Sequence, residues 1–254
     1  MKINADLTVS IDHLNEFQNI IGVTFNDTKY LIQALLHGTL FSGDKVKLEA
    51  FKKQNNLEDD NYEKLEKLGD VVLDLIVIEN FYKDEEVEEY AKAEKRSIES
   101  VLNDIQEVLV NNDNLKPLAP DINLEKYILQ SGLVDISDVF ERVIEALIGS
   151  IFLDNGYPEA KNFVLTFFDI DGALGKIGDV NPKGKVKEFC EKQKWDLPRY
   201  EKKSEEGPDH DKTFIRELYI RNELVSEGKG KTKTKAEEEA ARKYLNKIKS
   251  EGTL

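Results

Sequence analysis

Apolar positions in residues 15–36 recur at helical spacing in short pieces, punctuated by Gly22 and the Asn26-Asp27 pair. Residues 42–60 are polar, lack a clear period and read as a long loop. From Tyr62 to Tyr82 the period is sustained, with Leu65, Leu68, Val72 and Leu75 on one face, and predicts a strong helix. An acid-rich amphipathic segment follows from Glu85 to Asn111. Pro117 and Pro120 then break the chain before a short segment at 123–130. Ser137 is the expected N-cap of a second strong helix, about 138–154, which ends at Asn155-Gly156. Pro158 opens a last helix to Phe168, and the three glycines within residues 169–180 mark a linker.

The period changes after Asn181. A helical stretch at 183–194 precedes three alternating runs near 199–204, 213–220 and 223–227, separated by Glu-Glu-Gly-Pro-Asp-His and by Arg221-Asn222. A helix over about 234–248 closes the chain. The order is α-β-β-β-α, whereas the first 180 residues show no comparable strand pattern. The fold class read from this pattern is an all-α domain over residues 1–168, a linker over 169–180 and an α+β domain over 181–250.

Charge sharpens that division. The chain of 254 residues carries 36 Lys+Arg against 50 Asp+Glu, a net of −14. Residues 181–254 hold 19 basic and 15 acidic side chains, a net of +4, which leaves 17 against 35, or −18, for residues 1–180. Such asymmetry suggests two domains with different partners. With 40% hydrophobic residues the chain is rich enough to build a core, which argues against wholesale disorder. The single cysteine, Cys190, excludes an internal disulfide and any multi-cysteine zinc site. The start of the chain carries acids and no apolar stretch of the signal-peptide kind, and no apolar run approaches a membrane span. The expectation is therefore a soluble, intracellular protein, cytoplasmic or nuclear.

Candidate chemistry lies on two acidic helix faces. Glu63, Glu66, Asp70 and Asp74 are spaced three, four and four, which puts them on one face of the first strong helix. Asp138, Glu141, Arg142 and Glu145 share a face of the second. Each could be an ordinary solvated face, but like charges at i,i+4 repel, with no lysine on the first face to offset them. Gly69 inside that helix costs roughly 1 kcal/mol relative to Ala, so another helix is expected to approach closely there. If the two faces meet, each carboxylate pair at ~4 Å repels by ~1 kcal/mol in water and ~4 kcal/mol at an effective dielectric of 20. Such a cluster shares protons or holds divalent cations, and all-oxygen ligation suits Mg²⁺.

Asn61-Tyr-Glu-Lys-Leu-Glu-Lys-Leu-Gly-Asp-Val-Val-Leu73 resembles the signature helix of the ribonuclease III family, N-E-R-L-E-F-L-G-D-A-V-L. Gly22-Val-Thr-Phe and Ala34-Leu-Leu-His37-Gly-Thr39 are similar to the family's opening, and Glu145-Ala-Leu-Ile-Gly-Ser-Ile-Phe-Leu-Asp-Asn-Gly156 to its second conserved helix. Residues 181–245 resemble a double-stranded-RNA-binding domain, with Gly207-Pro-Asp-His210 and Gly228-Lys-Gly-Lys-Thr-Lys-Thr-Lys-Ala236 as its RNA-facing segments.

The resemblance implies an all-α ribonuclease III domain followed by an α+β RNA-binding domain. It further implies a Mg²⁺-dependent endoribonuclease, with Mn²⁺ as a substitute, that cuts double-stranded RNA as a homodimer and leaves 5′-phosphates and short 3′ overhangs. RNA processing or small-RNA production is the implied role. Without a helicase or PAZ-like region in this sequence, the latter would make it a minimal Dicer-like enzyme. By the same resemblance Glu66, Asp70 and Glu145 are metal ligands, and Glu63 lies beside the dimer and RNA groove. Gly69 then reads as the close contact of a dimer, with Leu65, Leu68 and Val72 as its apolar surface.

One position departs from the pattern. The family's D-x-x-E places Asp three residues before the last ligand, where this chain has Arg142. The fourth ligand stays open between Asp138 and Glu141, with the i,i+4 relation to Glu145 favouring Glu141. In the second domain the resemblance assigns RNA contacts to Glu188, His210, Lys231, Lys233 and Lys235, with Thr234 where the family usually has a second lysine. Trp195 and Phe189 read as core. The rival expectation, kept alive by Arg142, is a non-catalytic double-stranded-RNA-binding protein on a degenerate scaffold.

Overall fold

A computed structural model describes residues 3–110, 115–132, 135–170, 172–177, 182–208 and 212–250. The chain divides into two compact units, Met1–Leu174 and Gly175–Leu254.

Unit one is helical: α1 (Ile11–Ile21), α2 (Thr28–Leu35), α3 (Lys45–Asn55), α4 (Glu63–Phe81), α5 (Glu85–Ala93), α6 (Ile98–Val110), α7 (Phe140–Asn155) and α8 (Tyr157–Phe167), with single helical turns between α6 and α7. Its centre is the pair α4 and α7, and the side chains of Leu73, Ile76, Ile144, Leu147 and Ile148 are fully buried. These two helices touch through backbone. A Cβ on Gly69 would fall 1.7 Å from the carbonyl oxygen of Glu145, and one on Gly149 would fall 2.3 Å from that of Leu65. Only glycine permits so close an approach on both sides.

Three sequence expectations are corrected here. Residues 45–55 are helix α3 rather than loop: Asp44 caps the start by accepting from the Lys47 amide, and Asn56 ends it at φ 54°. The helix was hidden because it buries one side chain, Phe51, and a single apolar knob makes no period. The acid-rich segment is two helices, α5 and α6, broken where Lys95 turns left-handed at φ 54° and the Arg96 amide bonds back to Ala91. Ser137 does not cap α7. It opens a 3₁₀ turn over Ser137–Val139, its amide donating to Asp135, and α7 starts at Phe140. The linker stretch carries a helical turn, Ala173–Lys176.

Unit two is α9 (Pro182–Lys192), strands β1 (Arg199–Glu206), β2 (Thr213–Ile220) and β3 (Glu223–Gly230), and α10 (Lys233–Ser250). The sheet is antiparallel in the order β1-β2-β3. Arg221 and Asn222 both adopt positive φ, 53° and 65°, which is the backbone a two-residue hairpin needs to match the twist of its strands. The core joins Val186, Phe189 and Cys190 of α9 to Leu218 and Ile220 of β2 and Tyr244 and Leu245 of α10. Phe189 packs against Trp195 at 5.6 Å and Tyr244 at 6.2 Å; Phe189 is core, whereas Trp195 is half-buried and packs against the core's edge.

Candidate active site and RNA-facing surface

The signature helix is set in place by its lead-in. Gln33 of α2, buried, donates to the carbonyls of Asp59 and Asn61 and accepts from the Asp59 amide. Asn61 then accepts from the Glu63 amide and starts α4. At the other end of α7, Asp154 accepts from the amides of Asn26 and Asp27 at 2.6 and 3.0 Å and fixes the entry to α2. Gln33 and Asp154 support the site, and sequence reasoning passed over both because a polar residue's buried partner is invisible in the chain.

The Gly69–Gly149 contact brings the two acidic faces together. Glu66 and Asp70 of α4 and Glu141 of α7 all act electrostatically on Glu145 of α7, and Glu145 carries the consequence. Its carboxyl is pushed up to about 7, first by burial and then by the charges of Asp70, Glu66 and Glu141, with Arg142 opposing. Glu141 is 6% exposed, and its Oε2 lies 3.9 Å from Lys116 Nζ without a hydrogen bond. Glu66 Oε2 is likewise buried and accepts no hydrogen bond. Asp70 pairs with Lys67 at 2.8 Å.

Arg142 occupies the middle of this arrangement. Its Nε donates to Glu66 Oε1 at 2.9 Å, its Nη2 lies 3.6 Å from Glu63 Oε1, and its guanidinium sits 5.4 Å above the Tyr62 ring. Asp138 is not part of the cluster: it is exposed in the 3₁₀ turn and is absent from the charges acting on Glu145. Asp74 acts on Lys67 one turn away from Asp70. Among the described residues no three carboxylates or histidines form a finished ion cage as they stand. The donors nonetheless suit a hard cation, because two buried carboxylate oxygens, Glu66 Oε2 and Glu141 Oε2, accept no hydrogen bond and Glu145 is held against its neighbours' charge.

Gly69 requires a further correction. The helix that it admits is the chain's own α7, and Leu65 and Val72 are buried within the unit, so none of the three argues for a dimer. The apolar surface that α4 leaves exposed is different: Val71 at 55%, Leu75 at 54% and Tyr82 at 67%.

In unit two, β3 and α10 also meet through backbone. A Cβ on Gly228 would fall 2.1 Å from the Ala236 carbonyl oxygen, and one on Gly230 2.5 Å from the Ala236 nitrogen. Thr232 caps α10, its hydroxyl accepting from the Lys235 amide at 3.1 Å. Lys231, Lys233 and Lys235 are exposed around this helix start, where the dipole and the ammonium groups favour phosphate together. Glu188 is exposed on α9, whereas His210 lies outside the described residues. Arg216, 5% exposed, reaches Glu205 at 3.6 Å and Glu237 at 4.0 Å, a buried ionic tie between the sheet and α10.

A helical unit with a carboxylate cluster, joined to an α-β-β-β-α unit with lysines at a helix start, is the build of a two-domain RNA-directed hydrolase. Comparison with known proteins gives the class its family. The family model described as Ribonuclease-III-like matches residues 27–169, and that of the double-stranded RNA binding motif matches residues 182–248. A protein named Ribonuclease 3 from Borreliella afzelii is 32% identical over 90% of this chain and 88% of its own length. Another of that name from Natranaerobius thermophilus is 32% identical over 92% of this chain and 95% of its own. A solved nuclease domain of ribonuclease III from Campylobacter jejuni is 27% identical, with a TM-score of 0.46, and spans 61% of this chain and 94% of its own. The chain belongs to the ribonuclease III family, and it is an endoribonuclease acting on double-stranded RNA. Enzymes of this family generally use a divalent metal ion.

Proposed function

We propose that the protein is a Mg²⁺-dependent endoribonuclease that works as a homodimer, cuts both strands of an RNA duplex and leaves 5′-phosphates and short 3′ overhangs. The observation that carries this reading is the meeting of Glu66, Asp70 and Glu145 across the Gly69–Gly149 contact, with Glu66 Oε2 buried and unpartnered. These three side chains would hold the ion. Glu141, buried beside Glu145, is the fourth carboxylate, and Asp138 is not. When bound, a divalent ion supplies a Lewis acid and lowers the pKa of water at the scissile phosphate.

The chain's residues do the rest. Lys231, Lys233 and Lys235 hold phosphates of the duplex, a contact that reads shape rather than sequence. Glu63 and Glu66 keep Arg142 in place beside the cluster. The dimer is supported by the stripe Leu68, Val71, Leu75, Ile78 and Tyr82, whose spacing of three, four, three and four runs along one face of α4 to its C-cap, with Val71, Leu75 and Tyr82 exposed and Leu68 and Ile78 half-buried. A twofold axis on that face gives two clusters, one for each strand.

RNA processing inside the cell is the role favoured, since the relatives named Ribonuclease 3 are bacterial and of similar length. Among the described residues no helix is long and apolar enough to cross a membrane. Incubation with long double-stranded RNA, with Mg²⁺ or with EDTA, tests the reading. Short duplexes with 5′-phosphates should form only with the metal, and an intact duplex in both would point to binding without cleavage.

A further inference from the structure

We propose that Arg142 is a built-in cation of the carboxylate cluster: its guanidinium takes the place of a second divalent ion, so that each nuclease unit binds one. This rests on the metal-dependent reading above and deepens it.

Arg142 pairs with Glu63 and Glu66 and opposes the carboxylate charge acting on Glu145. Aspartate in its place would change the charge beside Glu66 from plus one to minus one, a difference that one further divalent ion offsets.

Geometry makes the exclusion local. Lys67 and Lys116 are lysines on flexible stems, the first largely exposed, whereas Arg142 is held by two carboxylates and by the Tyr62 ring. Its planar fork is always charged and, unlike an ion, cannot dissociate. Oxygen ligands lie ~2.0–2.1 Å from Mg²⁺. With Glu66 Oε1 2.9 Å from Arg142 Nε, an ion on that oxygen would sit within about 5 Å of a fixed positive charge. The other oxygen, Glu66 Oε2, is buried and unpartnered and remains for a single ion with Asp70 and Glu145. Glu66 would then hold the guanidinium through one oxygen and leave the other for the ion.

The test is calorimetric titration of the full chain with Mn²⁺, in which Asp70→Asn identifies the ions that belong to the cluster. The expected result is one Asp70-dependent ion in the wild type, one in Arg142→Lys and two in Arg142→Asp. The cleavage rate should rise with Mg²⁺ with a log–log slope near one in the wild type and towards two in Arg142→Asp. Two Asp70-dependent ions in the wild type or in Arg142→Lys would overturn the proposal while leaving the metal-dependent reading intact. One ion in both the wild type and Arg142→Asp would overturn it equally. Should Arg142→Asp not fold, the wild type and Arg142→Lys still decide. Cleavage in EDTA, or no Asp70-dependent ion at all, would remove the metal reading and the proposal together.

Discussion

Both units use paired glycines to press backbone against backbone, and to opposite electrostatic ends. In the nuclease unit Gly69 and Gly149 let α4 and α7 touch, which forces carboxylates of two helices into one partly dry site. In the RNA-binding unit Gly228 and Gly230 let β3 lie on the start of α10, and the lysines beside the contact stay exposed. The first contact concentrates like charge out of water and creates a need for a cation. The second spreads like charge into water, where repulsion is weak and phosphates can be met one at a time. A glycine's effect on function therefore depends on which side chains its contact gathers.

The sharpest way to break the comparison is to fill the contacts. Gly69→Leu would place side-chain atoms inside the Glu145 peptide and should cost the nuclease unit about 4 kcal/mol or more. Calorimetry should show that transition lost or lowered, with cleavage abolished and duplex binding retained. Gly228→Val should do the reverse, losing duplex binding and sparing the nuclease transition.

Next in size, Asp70→Asn or Glu145→Gln should lower cleavage by roughly 10³-fold, about 4 kcal/mol, at limiting Mg²⁺. Duplex affinity in a filter-binding assay should stay within about twofold, because these groups hold metal and not RNA. Near-normal turnover in either variant would remove the ligand assignment.

Leu75→Glu on the exposed stripe of α4 should give monomers by light scattering at micromolar concentration, without unfolding the unit. Paired cuts should disappear with the dimer. A wild type that is itself monomeric and still makes paired cuts would refute the dimer.

A pH effect separates the units more finely. The neutral form of Glu145 is favoured in the folded state, with a pKa near 7 against 4.5 in the unfolded chain. A raised acid costs nothing while both states are protonated, so stability is lost as pH rises from about 4.5 to about 7. Glu145→Gln in EDTA should flatten that fall and raise Tm at pH 8 by a few degrees. Smallest of all, Lys233→Ala should weaken duplex binding evenly across sequences and lower the slope of log K against log salt by about 0.9.

Much of the fold was legible because long apolar periods and turn residues are local signals. The α4 helix, the α-β-β-β-α succession of elements in unit two and the Arg221-Asn222 turn follow from them. Helix α3 was not legible, since its only buried residue is Phe51 and its signals are two caps. The acidic faces were legible as faces, but which members meet was not. Asp138 and Glu141 both stayed open in the chain, with only the i,i+4 spacing to Glu145 favouring Glu141, and the 3₁₀ turn that precedes Phe140 left Asp138 exposed while Glu141 is buried.

The sequence by itself determined the two-unit order, the charge asymmetry between the units, the two acidic helix faces and the presence of Arg142 among them. Those are properties of spacing and composition, readable along one strand of residues. Only the tertiary structure decided that Gly69 faces the chain's own α7, that Val71 and Leu75 are the apolar positions left exposed, and that Arg142 pairs with Glu66. Each of these depends on which element lies across from a residue. Backbone contact and burial are set between elements distant in the chain, whereas helical period is set within one.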